Sequence, residues 1–153
     1  MKQFFHSNNE SETMDFAKKL GRKLEVGDLL LLEGDLGAGK TTFTKGLAEG
    51  LDIKKIVKSP TFTIIREYKT GRLPLYHMDV YRLEDASTDE LGLFEYFQGD
   101  GVSVVEWAHY IADELPPDYL KITITRESDE GRLLTLEPVG ERYVTLLAEV
   151  LES

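Results

Sequence analysis

Gly34-Asp35-Leu36-Gly37-Ala38-Gly39-Lys40-Thr41 is the stretch whose residue types and spacing best suit phosphate binding. It fits G-x-x-x-x-G-K-[ST], and each fixed position has a physical reason. Glycines at 34, 37 and 39 let the backbone turn tightly and approach an anion with no Cβ in the way. The loop N–H groups, including those of Asp35, Leu36 and Ala38, then converge on phosphate oxygens where a helix begins. Lys40 adds a positive charge for the β- and γ-phosphates, Thr41 a hydroxyl for Mg2+, and Thr42 lies in the same first turn. The bland alternative is a glycine-rich turn that holds nothing. An apolar run before the loop and a helical pattern after it favour the phosphate reading.

A metal–phosphate site also needs an acid, usually at the end of an apolar strand. Glu106 ends Val102-Ser103-Val104-Val105, and Asp79 lies within Tyr76-His77-Met78-Asp79-Val80-Tyr81. Either acid is equally readable as a surface carboxylate or a strand-end cap. Thr61, in Ser59-Pro60-Thr61-Phe62, is placed to offer a hydroxyl to a γ-phosphate, or simply to start a strand. His77 reads as a sheet histidine before it reads as a base. Trp107 reads as core, although its place beside Glu106 suits a nucleotide or partner contact. Lys54, Lys55 and Lys58 form a solvated loop or a small docking patch. No histidine cluster has zinc spacing, and no serine or cysteine nucleophile elbow is present.

These residues need elements to hold them. Asn9 and Glu12 have capping-box spacing, and Phe16, Ala17, Leu20 and Leu24 recur at helical intervals, with Gly27-Asp28 ending that element. Leu29 to Leu32 reads as a strand buried on both faces. A helix is expected from Lys40 to about Glu49, with Gly50 placed to stop it. Thr61–Tyr68 and the alternating Leu75–Tyr81 are expected to pair as a hairpin across Lys69–Arg72. Ser87 and Glu90 open a helix carrying Leu91 and Phe94. Val102–Val105 is another buried strand, and Leu120–Thr125 and Arg132–Glu137 are two late strands. Val144, Leu147, Ala148 and Leu151 give a last helix one apolar face. Helices interleaved with buried strands predict an α/β fold with helices on both faces of the sheet.

Composition bounds the rest. A chain of 153 residues predicts one domain, 1–153. Its 28 acidic and 18 basic residues leave a net charge of −10, which disfavours direct binding to a phosphate backbone. The absence of cysteine excludes disulfides and Cys-ligated metal. Met1–Asn8 lacks a signal-peptide core, and Leu29–Leu32 is too short to span a membrane. A cytoplasmic protein without membrane contact is expected; self-association is left open.

Four motifs then stand in order: the phosphate loop through Thr42, Lys58-Ser59-Pro60-Thr61-Phe62, Tyr76-His77-Met78-Asp79-Val80-Tyr81-Arg82-Leu83, and Val105-Glu106-Trp107. Together they resemble the bacterial TsaE (YjeE) family, the P-loop ATPase of tRNA threonylcarbamoyladenosine biosynthesis. The resemblance runs from the first helix to about Trp107 and assigns nothing after Leu115. It implies a P-loop NTPase-like three-layer sandwich with a central mixed sheet, Mg2+-dependent ATP binding and slow hydrolysis. It implies Thr41 and Glu106 as Mg2+ ligands. Lys40, Asp79 and Glu106 are then the catalytic residues, and Thr61 and Trp107 belong to the nucleotide site or its moving loops. It further implies work within a complex of proteins resembling TsaB and TsaD, with tRNA reached only through that complex. Three other readings compete. A small-molecule kinase would need a lid and an arginine-lined acceptor pocket, whereas Arg66, Arg72, Arg82 and Arg132 are scattered. A GTP-dependent regulatory switch would need a guanine-reading N-K-x-D element, which is missing. A scaffold would bind nucleotide only in order to fold.

Overall fold

The computed structural model describes residues 2–35, 38–54, 57, 65–80, 93–108 and 115–152, with residues 93 and 94 described by backbone alone. Seven strands form one mixed sheet in the order β1-β7-β6-β2-β5-β4-β3. In chain order the elements are β1 (Gln3–Ser7), α1 (Glu10–Lys23), β2 (Leu29–Gly34), α2 (Lys40–Gly50), β3 (Ile65–Tyr68) and β4 (Leu75–Asp79). They continue with α3 (Leu93–Phe97), β5 (Val102–Glu106), β6 (Tyr119–Arg126), β7 (Arg132–Val139) and α4 (Glu141–Glu152). β2 lies parallel between β5 and β6, and β4 is parallel to β5; the other pairings are antiparallel.

The apolar run Leu29–Leu32 is buried on both faces, as its sequence predicts. Leu30 and Leu32 face the larger core with Phe16, Leu20, Phe43, Leu47 and Leu146 of α1, α2 and α4. Leu29 and Leu31 face the smaller core with Met78, Val105 and Phe97 of α3. Helices therefore cover both faces and form the outer layers of a three-layer sandwich. The β3–β4 hairpin forms, with Ile65 opposite Met78 and Tyr68 opposite Leu75. β4 differs from the alternation expected of it: all five residues are buried, because β5 and β3 flank it and both faces are covered.

Two other expectations are met in part. Gly50 ends α2 as its last helical residue, not as a left-handed cap, and lies at a helix crossing. A Cβ on Gly50 would lie 2.4 Å from the Lys18 carbonyl oxygen, and one on Gly46 would lie 2.6 Å from that of Met14. The apolar face of α4 is Tyr143, Leu146, Leu147 and Val150, one residue out of register with the expected set. Val144 and Leu151 are exposed. The Tyr143 hydroxyl accepts a hydrogen bond from the Leu29 N–H at 2.8 Å, and that contact fixes which side of α4 turns inward. β1, for which the sequence shows no alternation long enough to read, adds an edge strand beside β7. Ser87, Glu90 and Leu91 of the expected helix, and the strand residues Thr61–Ile64, lie outside the described residues, whereas Phe94 falls within α3.

Candidate functional site

β2 carries the chain to Gly34, and α2 departs at Lys40, so the loop between them sits at the carboxyl ends of the parallel strands. Ligands gather at this edge in open α/β sheets. Gly34 closes against β6, where a Cβ would lie 2.8 Å from the Ile124 carbonyl oxygen. Gly39 is the N-cap of α2 with φ +110°, a conformation that side chains disfavour. It offers no side-chain cap, and the first turn of α2 holds no acid. An uncapped helix N-terminus with a lysine in its first turn is a place for an anion. Ala38 is buried and donates its N–H to the Asp35 carbonyl at 2.9 Å, and Asp35 is exposed. Leu36 and Gly37 lie outside the described residues, as do Thr61, Lys55 and Lys58, whereas Lys54 is exposed.

The acids arrive from the neighbouring strands. Asp79 and Glu106 are register partners at the ends of β4 and β5, so their side chains leave the same face of the sheet. Alternation puts His77 on that face as well, two residues before Asp79. Glu106 is held from two sides: Lys40 Nζ lies 3.5 Å from Oε1, and His77 Nε2 lies 2.5 Å from Oε2. Burial pushes the Glu106 carboxyl up, but the His77 hydrogen bond and the Lys40 ammonium outweigh it and hold it below the ordinary carboxylate range. Trp107 is bent sharply, with φ +63°, and its ring centroid lies 5.0 Å from Lys40 Nζ, within cation–π range. Positive φ in so bulky a residue is a strained conformation, of the kind found at binding sites. The sequence thus presents Lys40, Asp79 and the pair Glu106–Trp107 in three separate motifs, and the fold brings all four residues to one edge.

Thr41 is half-buried, and Thr42 donates a hydrogen bond to Glu10 Oε1 of α1 at 3.2 Å. Arg132, at the start of β7, was not singled out by the sequence as a site residue. Its Nε donates to the Ala38 carbonyl at 2.8 Å, and its Nη1 reaches the carbonyls of Ser128, Asp129 and Gly131. It ties the phosphate loop to the β6–β7 turn. The loop and that turn are nearly a hundred residues apart, so no local pattern could have revealed this. Beside it a cavity of about 280 Å3 opens onto Gly39, Thr42, Thr13 and Arg132. A larger cavity of about 550 Å3, between α1 and the second half of α2, contains none of the predicted site residues. Chemistry, not volume, identifies the site.

The residues fit a magnesium–nucleotide ligand. Among the described residues no cluster of three His, Cys, Asp or Glu could cage a metal by itself. One hydroxyl and one or two carboxylates beside an anion cradle suit a cation that keeps waters and shares phosphate oxygens, as Mg2+ does. No helix of the described residues is long and apolar enough to cross a membrane.

Comparison with known proteins bears on the family and the fold. A family model described as threonylcarbamoyl adenosine biosynthesis protein TsaE matches residues 7–134. The tRNA threonylcarbamoyladenosine biosynthesis protein TsaE of Bacillus subtilis is 58% identical over 151 residues, covering 98% of this chain and 95% of that protein. The TsaE protein of Nostoc is 40% identical, covering 97% of this chain and 93% of that one. The crystal structure of Bacillus subtilis YdiB superposes with a TM-score of 0.88 at 51% identity, covering 99% of this chain and 95% of that one. With its loop, strand-end acids and sheet order in place, and with matches that run nearly end to end, the chain belongs to the TsaE family.

Proposed function

We propose that the protein binds ATP with Mg2+ at this edge, hydrolyses it slowly, and in doing so supports threonylcarbamoyladenosine modification of tRNA. The observation that carries the reading is the convergence of Lys40, Glu106 and Asp79 on the uncapped N-terminus of α2. Loop N–H groups and Lys40 bind the β- and γ-phosphates, while Thr41 and Glu106 hold the cation. Asp79, beside Glu106, would orient a water toward the γ-phosphate. Mg2+, held by Thr41 and Glu106, would supply charge neutralisation at the phosphate oxygens. The cavity beside the loop, lined by Gly39, Thr42 and Arg132 and also by Glu10, Asp129 and Glu130, is the space we read as open to the nucleoside. Trp107, beside Lys40, is read as part of the nucleotide site, and family membership supports Thr61 as another member of it.

Slow turnover follows from what Arg132 does. Arginine fingers act by pointing at the transferring phosphoryl group. Arg132 touches the loop but directs Nε and Nη1 to four backbone carbonyls. Arg132 is thus not read as such a finger, and we take a partner protein as the source of the group that speeds the reaction. Family membership supports protein partners resembling TsaB and TsaD as that source. The net charge of −10 supports tRNA contact through those partners only. The cytoplasm is where such partners and tRNA meet.

The test is phosphate release with Mg2+ and ATP, alone and with the two partner proteins, alongside GTP competition against labelled ATP. Slow release alone, faster release with partners, and weaker GTP binding are expected. Nucleotide binding with no hydrolysis under either condition makes the protein a scaffold. Phosphate transfer to an added small acceptor makes it a kinase.

A further inference from the structure

His77 is the most buried polar side chain near the site, with no solvent exposure, on the middle residue of β4. Burying a polar ring is unfavourable unless its nitrogens are satisfied. Only one is. Nε2 meets Glu106 Oε2 at 2.5 Å, while Nδ1 has no hydrogen-bond partner among the described residues. A carboxylate can only accept, so Nε2 carries the proton and donates it. A histidine kept solely to fill a sheet would be better replaced by an apolar side chain of similar size. This one leaves a nitrogen orphaned and holds a carboxylate.

The two oxygens of Glu106 are held by unlike groups. Oε2 is held by a ring fixed within a strand. Oε1 faces Lys40 at 3.5 Å. Lysine has a long flexible stem and a point charge that can turn to any nearby anion, whereas the imidazole cannot follow. When a triphosphate reaches the loop, Lys40 has phosphate oxygens to pair with and Oε1 is released. Oε2 stays where His77 holds it.

We propose that His77 is a positioning residue: its Nε2–H fixes Oε2 of Glu106 so that Oε1, exchanged by Lys40, is the oxygen presented to the cation. The inference rests on the Mg2+–nucleotide reading above and deepens it. Outer hydrogen bonds to a metal-binding carboxylate commonly govern affinity as strongly as a ligand does. The division of labour also explains why an acid beside a lysine is not simply neutralised by it. One partner is permanent and the other leaves with the arrival of substrate.

The test is calorimetric titration of a non-hydrolysable ATP analogue, in EDTA and over a Mg2+ series, with thermal melts as a control on folding. His77→Leu is expected to keep its affinity in EDTA within about twofold but to need about tenfold more Mg2+ for half-maximal tightening. His77→Gln places an amide N–H near the Nε2 position and is expected to recover most of that loss. If His77→Leu does not fold, His77→Asn, too short to reach Glu106, takes its place. Equal Mg2+ dependence in the wild type and either donor-less variant overturns the inference, as does an equal loss of affinity in EDTA. A wild-type protein whose nucleotide binding ignores Mg2+ overturns the underlying site reading as well. Wild-type dependence on Mg2+ with an unaltered His77→Leu overturns this inference alone.

Discussion

Helices α1 and α2 run side by side and parallel, and their first turns are built in opposite ways. Glu10, Met14 and Lys18 of α1 meet Thr42, Gly46 and Gly50 of α2 in step, so the two N-termini lie at the same end. The start of α1 is closed: Asn9 Oδ1 accepts the Glu12 N–H at 2.9 Å, and Glu10 and Glu12 supply negative charge to the first turn. The start of α2 is open: Gly39 brings no cap, Lys40 brings positive charge, and the acid that belongs nearby comes from β5. One terminus is satisfied by its own sequence and stabilises the fold. The other is left for an anion. The same backbone dipole serves both, and only the side chains around it decide which.

Breaking the open terminus has the largest expected effect. Lys40→Ala is expected to weaken ATP binding or turnover tenfold to a hundredfold, about 1.4–2.8 kcal/mol, read by calorimetry and phosphate release. Unchanged binding together with unchanged hydrolysis would remove the distinction between the two termini. Next comes the contact that keeps them side by side. Gly50→Ala drives a methyl into the Lys18 carbonyl and is expected to lower stability by about 2 kcal/mol in chemical denaturation.

The closed terminus is expected to matter less, and only to stability. Asn9→Ala is expected to lower unfolding free energy by about 1 kcal/mol and leave nucleotide affinity alone. A matching loss of nucleotide affinity would show that the two termini are not separable. The smallest effect is on acid stability without nucleotide or metal. The Glu106 carboxyl is held low in the folded state, so its contribution is present above the ordinary carboxylate range and is lost as pH falls through the depressed folded value. Glu106→Gln removes that contribution, and an EDTA-treated protein is expected to show a shallower acid limb in urea melts below about pH 4. A limb as steep as that of the wild type means that Glu106 is not held by Lys40 and His77 in solution.

Legibility followed the range of the interaction. The cap at Asn9, the stripe Phe16, Ala17 and Leu20, and the doubly buried Leu29–Leu32 are local patterns and agree with the structure. Helix α4 was legible as a helix but not in its facing, because two overlapping stripes one residue apart both look apolar. The Tyr143 hydroxyl on Leu29 chooses between them, over a separation of more than a hundred residues. Gly50 ends α2 as its position suggests, but its second role, close approach to a carbonyl on another helix, is not visible in the local pattern.

The site divides along the same line. Residue types and spacing single out the phosphate loop, Thr41, Asp79, Glu106 and Trp107 as candidates, and the structure gathers Lys40, Asp79, Glu106 and Trp107 at one edge. Sequence order also carried the family likeness. Tertiary structure alone decided that Asp79 and Glu106 are register partners, that Arg132 of the late hairpin grips Ala38, and that His77 holds one oxygen of Glu106 while Lys40 holds the other. The Asp79, Glu106 and His77 contacts join β4 and β5, and the Arg132 contact reaches across β6 to the loop after β2, so all of them depend on a strand order that is a property of the whole packed chain, not of any window within it.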